Sequence, residues 1–310
     1  MITKEAKNIK NAQFHRVYFN SARAAFLSLL NAVCTDCKDT ILMPAYIGQS
    51  VKEGSGVFDP VRTLRIPYQF YNLQENLQVD MEDFIKKIQN PHIRAVFLIH
   101  YFGFPQENIV SIKKICQQKG ILLIEDCAHS LYSCLNGRPI GQFGDFALFS
   151  IHKFLPSKAG GFLLLNNKIS VEASLPIALE DLTIFANASQ RDVMAKRCQN
   201  YKYYLDHYNK YSSLYRPMLP ALPAGVIPLN FPIFITGIPR EKVYFELQKK
   251  KIITVALWYK LIDEIPQSVY PHLYNLSNHI LNLPVHQDIS LQEITQILQA
   301  LNDLEGQLCH

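Results

Sequence analysis

An apolar run closes on Ile124-Glu125-Asp126, with Cys127, Ala128 and His129 directly behind it. A lysine, Lys153, stands 27 residues after Asp126, just past a second apolar run that ends in Phe149-Ser150-Ile151-His152. A glycine pair, Gly160-Gly161, follows. A carboxylate and an amine delivered from the ends of two buried segments suit one cofactor with two needs. Pyridoxal phosphate (PLP) wants an anion against its pyridine nitrogen, which keeps the ring protonated as an electron sink, and a lysine to hold its aldehyde as a Schiff base. Asp126 and Lys153 are the candidates, with Lys158 as a competing lysine five residues on. Taken singly, Asp126 reads more readily as a helix cap or a surface acid, and either lysine as a solvated loop residue. The pair in this order carries the reading.

The neighbours fit the same chemistry. The Ser150 hydroxyl could donate to the cofactor phosphate, and its plain alternative role is to end a strand. A helix starting near Ser21-Ala22-Arg23 would offer free N–H groups and a positive dipole end to that phosphate, and Arg23 could add a charge-assisted bond. His129 follows Asp126 at i+3, where it could touch the pyridoxal O3′ or the ring face; otherwise it is a satisfied core histidine. The Lys153 amine must lose its proton to attack a carbonyl, so burial or nearby positive charge has to lower its pKa.

These groups need strand ends and helix starts to hold them. Residues 21–33 read as a helix with Asn20 or Ser21 as cap. Residues 40–43 form a short strand stopped by Pro44. Residues 94–100 and 120–125 are continuous apolar runs of strand length, suited to burial on both faces. The helical pattern over 107–118 between them makes a strand–helix–strand unit of a parallel sheet. Residues 145–150 and 161–166 add two strands. Asp126 then falls at a strand's C-terminal end, where ligands of open α/β sheets gather. Residues 173–212 read as mainly helical. Pro217, Pro220 and Pro223 mark a linker. A strand over 231–235, a helix over 241–250, a strand over 252–255 and a final helix over 291–304 follow. The expected division is a large α/β domain over 1–212 and a smaller C-terminal α+β domain over 213–310.

Composition agrees with a folded enzyme-sized chain. Of 310 residues, 48% are hydrophobic and 18% charged, as in globular proteins. The net charge of +5 is scattered, its densest run being only Lys249-Lys250-Lys251, so no nucleic-acid partner is expected. No apolar run reaches the roughly 18 residues needed to span a bilayer, so no membrane partner is expected. Residues 1–7 lack a signal-peptide core, and the expected location is cytoplasmic. Seven cysteines, an odd count, read as reduced. Cys34 and Cys37 have the spacing of a metal or redox pair, but the segment looks helical and brings neither a second pair nor a histidine, so no metal site is expected. Gly54-Ser55-Gly56 lacks the third glycine and the leading strand of a dinucleotide loop.

In order along the chain these motifs resemble the DegT/DnrJ/EryC1/StrS aminotransferases, PLP enzymes of sugar-nucleotide amination. Asn20-Ser-Ala-Arg-Ala-Ala-Phe is similar to the family's Ser-Gly-Thr/Arg-Ala-Ala-Leu segment, Pro44-Ala-Tyr to its Pro-x-Tyr/Thr, and His100-Tyr-Phe-Gly-Phe-Pro105 to its His-x-x-Gly-x-Pro. Glu125-Asp-Cys-Ala-His129 resembles Glu-Asp-Ala-Ala-Gln/His. Gly144-Asp145 with Phe149-Ser-Ile-His-Lys153 and Gly160-Gly161 resembles Gly-Asp…Phe-Ser…Lys…Gly-Gly, and Leu283-Pro-Val-His286 its Leu-Pro-x-His. The resemblance implies fold type I, with a mostly parallel central sheet flanked by helices and a smaller C-terminal domain. It implies a homodimer with active sites at the subunit interface, an amino-acid donor (glutamate usually) and a nucleotide-linked keto sugar as acceptor. It assigns Asp126 to the pyridine nitrogen and Lys153 to the aldehyde and the α-proton. Ser150 and Ser21, Ala22 and Arg23 go to the phosphate, and Ala128 and His129 against the cofactor. Tyr46, Trp258 and His286 are substrate-side candidates.

Four departures stand out. Many members have two more residues between the serine and the lysine; here Ser150 and Lys153 are three apart. Arg23 stands for a threonine. Gly48 stands where some members place a stacking aromatic. The segment between Gly161 and Arg197 is short, without the Asn-Tyr-Arg loop that reaches the partner subunit's site. Two rival readings remain: a PLP-dependent sugar dehydratase, whose branch replaces the lysine with histidine, and a noncatalytic protein that kept the fold.

Overall fold

Apolar runs without polar interruption belong in strands covered on both faces. The computed structural model, which describes residues 15–308 apart from 52 and 174, places them so. The elements of the first half are β1 (His15–Phe19), α1 (Ala22–Val33), β2 (Thr40–Pro44), α2 (Asp59–Leu64), β3 (Tyr68–Tyr71), α3 (Met81–Lys87), β4 (Ile93–Ile99), α4 (Ile109–Lys119), β5 (Leu122–Asp126), the short hairpin β6 (Cys134–Leu135) and β7 (Arg138–Pro139), β8 (Phe146–Ser150) and β9 (Gly161–Leu165). One seven-stranded sheet has the order β1-β9-β8-β5-β4-β2-β3. β3, β2, β4, β5 and β8 run parallel, while β9 turns back on β8 and β1 pairs antiparallel with β9. This mostly parallel sheet with helices around it is the expected α/β architecture.

Register places the chemistry. Asp126, last residue of β5, pairs with Ile99 on β4 and Leu148 on β8. Ser150, last residue of β8, pairs with Gly161 at the start of β9. α1 forms because Ala25, Phe26, Leu29, Leu30 and Val33 make one apolar face that is at most 1% exposed. Each large side chain buried this way contributes about 1.5–3 kcal/mol. Ser21 is its cap, accepting from the Ala24 N–H at 3.2 Å.

The second half holds α5 (Leu179–Asn187), α6 (Gln190–His207), β10 (Tyr215–Pro217), β11 (Asn230–Ile235), α7 (Arg240–Lys249), α8 (Pro271–His279), β12 (Ile280–Pro284) and α9 (Leu291–Leu308). β10, β11 and β12 form a small antiparallel sheet. α9 packs against α6 and α7.

Two expectations are corrected. Residues 252–255 form no strand; Val255 makes only an isolated bridge to Asn282. The partner of β11 is Ile280–Pro284, whose Ile280, Leu281 and Leu283 are fully buried, whereas Ile253 is 82% exposed. Burial, not β-propensity, decided which apolar run joined the sheet. The Cys34–Cys37 segment is not helical either: α1 ends at Val33, with Cys34 as its extended C-cap. Burial and the Asp39 charge push the Cys34 thiol up to about 12, away from the reactive range. The reading of residues 1–7 lies outside the described residues. Among the described residues, no helix is long and apolar enough to cross a membrane.

Candidate functional site

The C-terminal ends of β5 and β8 open into a cavity of about 710 Å³ lined by Asp126, Ala128, His129, Ser150, His152 and Lys153. The start of α1 (Ser21, Ala22, Arg23), Gly48, Lys158 and Trp258 complete the wall. Nine of the eleven positions singled out from sequence therefore meet in one place.

Asp126 is buried, and its Oδ1 accepts from the Ala128 N–H at 2.9 Å. Burial raises its pKa; the Ala128 bond and the Lys153 charge pull the other way. Behind it, Glu125 ties the strand to the next turn by accepting from Gly141 N at 2.9 Å and Phe143 N at 2.8 Å. The buried His100 Nδ1 accepts from Gln106 N at 3.0 Å, which leaves Nε2 to donate to Glu125 Oε2 at 3.1 Å. The carboxylate end of the site thus sits on a saturated polar knot.

Lys153 lies on a tight turn after β8. The Phe154 and Leu155 N–H groups both donate back to the Ile151 carbonyl at 3.0 Å, and Ile151 N–H donates to Gly160 O at 2.9 Å. This compact turn is how the chain places the lysine only three residues after Ser150. Desolvation holds the Lys153 amine below the ordinary lysine value, partly offset by the Asp126 and Glu53 charges. The amine forms no hydrogen bond or ion pair among the described residues. The competitor Lys158 is different. Its side chain is 84% exposed and stands 3.7 Å from Glu180.

The opposite end of the cavity is the helix start. Gly161 explains why α1 can approach it: a Cβ there would meet Ala22 N at 2.5 Å and Phe149 O at 2.6 Å. Ser21 Oγ is occupied, donating to Asn20 Oδ1 at 3.1 Å while capping α1. What α1 offers an anion is therefore the Ala22 and Arg23 N–H groups, which have no acceptor within their own helix. The Arg23 guanidinium lines the cavity but bonds the Glu53 carbonyl at 2.6 Å and lies 3.5 Å from Asp59. Ser150 Oγ lies 3.2 Å from His152 Nδ1.

His129 Nδ1 accepts from the Phe102 N–H at 3.3 Å, so Nε2 carries the ring proton. Burial, helped by the Lys153 charge, keeps His129 well below its usual value and therefore neutral. The substrate-side candidates separate. Trp258 lines the cavity. Tyr46 is fully buried behind it, 5.7 Å from the indole, with its hydroxyl unpartnered. His286 is exposed, 3.7 Å from Asp288 and outside the cavity wall.

Sequence reasoning missed Arg197 on α6. Its guanidinium is 2% exposed and 4.5 Å over the Phe154 ring. It donates to Lys153 O at 3.4 Å, Pro228 O at 3.3 Å and Leu229 O at 3.1 Å, so it braces the lysine turn. Its only signal in sequence was a basic residue on an otherwise helical stretch. Glu53, on the loop after β2, was missed as well.

A carboxylate, a desolvated amine and a helix N-terminus facing one cavity at the strand ends of a parallel sheet define the site of a layered α/β protein of the aminotransferase type. Residues 9–178, more than half of the chain, match the DegT/DnrJ/EryC1/StrS aminotransferase family, and the chain belongs to it. GDP-perosamine synthase of Vibrio cholerae is 37% identical over 103 residues, which are 33% of this chain and 28% of that protein. The matched stretch thus spans under a third of that curated relative. The fold follows the aminotransferase TlmJ from Streptoalloteichus hindustanus with a TM-score of 0.80 at 18% identity, over 95% of this chain and 87% of that one. It follows the PLP form of the putative sugar aminotransferase Spr1654 from Streptococcus pneumoniae with a TM-score of 0.78 at 16% identity, over 94% and 87%.

Proposed function

We propose that the protein is a PLP-dependent aminotransferase that moves an amino group from an amino acid, glutamate by preference, to a keto sugar carried on a nucleotide. The observation that carries this is the unpartnered, desolvated Lys153 amine sharing a cavity with the buried Asp126 carboxylate. Family membership and the names of the relatives support the sugar acceptor. The donor set fits the cofactor. Asp126 would take the ring N–H, Lys153 the aldehyde, and Ala128 and His129 would lie against the ring. Ser150 and the Ala22 and Arg23 N–H groups would hold the phosphate, with Ser21 fixing that helix start. When bound, the cofactor supplies an electron sink for the carbanion formed on deprotonating the donor.

The chain's own residues do the rest. Lys153 can carry the migrating proton because its pKa is lowered toward the operating range. Neutral His129 adds no positive charge beside Lys153, so the charges acting on Asp126 and Lys153 are chiefly each other's. His152 is exposed and engaged with Ser150, so Lys153 and not His152 is the base, which favours transamination over the dehydratase reading. A second copy of the chain belongs to the proposal too: Val51, 94% exposed, adjoins the cavity-lining Ser50, and Ile253, 82% exposed, stands three residues before the cavity-lining Ala256.

The test is borohydride reduction of PLP-incubated protein with peptide mass mapping, followed by assay with glutamate and nucleotide-linked keto sugars. A phosphopyridoxyl adduct on Lys153 and amine transfer to the sugar are expected. An adduct on Lys158 overturns the residue assignment. No specific adduct leaves a noncatalytic scaffold.

A further inference from the structure

Trp258 is the only tryptophan in the chain, and its place in the cavity wall is costly to maintain. Its φ of 58° is left-handed, a conformation that bulky side chains rarely adopt. The surrounding structure enforces it. Ser277 Oγ donates to the Trp258 carbonyl at 2.8 Å. The segment after it is laced to the loop following β2, by Gln49 N to Lys260 O and Ile262 N to Ile47 O, both at 2.9 Å. The indole then occupies the volume a side chain at position 48 would need. A Cβ on Gly48 would meet Trp258 Cδ1 at 2.3 Å and Cγ at 2.5 Å.

The direction of the indole is informative. Its centroid is 5.4 Å from the His129 ring at 31°, and Tyr101 meets it edge-on at 4.9 Å from behind. It therefore stands over the Asp126–His129 turn, at the carboxylate end of the cavity and not at the helix-start end. Strain is retained where the surroundings over-determine it, and such positions cluster at ligand contacts.

We infer that Trp258, seated in the space left by Gly48, is the aromatic wall against which the flat heteroaromatic ring of the cofactor packs. The inference rests on the PLP reading above. It assigns Trp258 to the cofactor and not to the sugar, and it makes Gly48 a residue chosen for what it leaves open. A planar ring on an indole face gains dispersion and electrostatic attraction without needing hydrogen bonds.

The test starts from the unmodified protein. PLP is titrated while the single tryptophan's fluorescence is followed, and each sample is then reduced and mapped. Quenching that saturates together with the Lys153 adduct is expected. An adduct on Lys153 with unchanged fluorescence overturns the wall while leaving the cofactor reading standing. No adduct overturns both. Affinity decides the contact itself. Trp258→Leu should weaken PLP binding roughly tenfold or more, on the scale of lost base–aromatic stacking, and Trp258→Phe should recover most of it. Gly48→Ala should weaken binding comparably, because its methyl displaces the indole, and should cost almost nothing in the Trp258→Leu background. Additive losses, or wild-type affinity in Trp258→Leu, overturn the assignment.

Discussion

The two walls of the cavity are built in opposite ways. The sheet wall carries Asp126 at the end of β5, held by ladder pairs to Ile99 and Leu148, and Lys153 on the tight hydrogen-bonded turn that follows β8, whose last residue Ser150 pairs with Gly161. The C-terminal wall carries Trp258 on a loop joined to the loop after β2 by one isolated bridge, Gly48 to Leu261, and a few backbone bonds. Groups that must meet a reacting atom to within a fraction of an ångström belong on rigid elements. A group that only covers a flat surface tolerates a loop. The difference teaches that chemistry and coverage are separable here, and each wall can be broken without the other.

The largest effect belongs to the sheet wall. Lys153→Ala should reduce PLP-dependent transamination by about 10⁴-fold or more, since it removes both attachment and proton transfer. It should leave the urea midpoint unchanged or raised, because a desolvated amine with no bonding partner is lost. Comparable losses of turnover from Lys153→Ala and Trp258→Leu would collapse the distinction between the walls. Asp126→Asn comes next. The amide keeps the shape but not the charge, and turnover should fall by about 10²–10³-fold, the scale of one lost electrostatic contact in a closed site. Removing the Asp126 charge also removes the anion that holds the Lys153 pKa up, so the pH profile of adduct formation should move to lower pH. An unmoved profile would mean the two groups do not sense each other.

Arg197 crosses between the walls and should act on stability. Burial lowers its guanidinium to about 10, and its bonds go to carbonyls of Lys153, Pro228 and Leu229. Arg197→Met would leave those carbonyls short of donors and should cost about 1–3 kcal/mol in urea unfolding, with Lys153 adduct formation slowed as its turn loosens. A Met variant as stable as the parent would show that desolvating the charge cancels its bonds.

What was legible in the sequence follows the same division. Strands β4, β5, β8 and β9 are continuous apolar runs, and the motif residues end them, so Asp126, Ser150 and Lys153 could be placed from pattern alone. β12 was missed because Ile280-Leu-Asn-Leu-Pro is short and looks no more strand-like than the run at 252–255. Only long-range pairing with β11 separates the two. Tyr46 and Trp258 could be named as substrate-side residues but not ordered one behind the other, because that depends on Gly48 lacking a side chain 210 residues earlier than Trp258. Arg197 was invisible for a similar reason: its partners are backbone carbonyls, which leave no trace in residue types. His286 was named from its motif and lies outside the cavity.

The smallest expected effect lies where the walls touch. His129 packs against Trp258 at 5.4 Å and Phe102 at 6.0 Å, and burial keeps it well below the ordinary histidine value of about 6.5. A base whose folded pKa is depressed binds its proton in the unfolded chain first. Above about pH 6.5 both states are neutral and His129 has no effect on the pH dependence. As pH falls below that, the unfolded state gains a proton that the folded state refuses, and stability is lost, approaching about 1.4 kcal/mol per pH unit. His129→Gln keeps an acceptor for the Phe102 N–H and cannot titrate. The variant should therefore show a small constant offset above pH 7 and a shallower decline between pH 6.5 and 5.5. His152 and His286 are shifted in the same direction and remain in both proteins, so the difference curve isolates His129. Parallel unfolding curves across that window would mean that His129 accepts its proton while folded. The neutral ring assigned to the seam between the two walls would then be a cation.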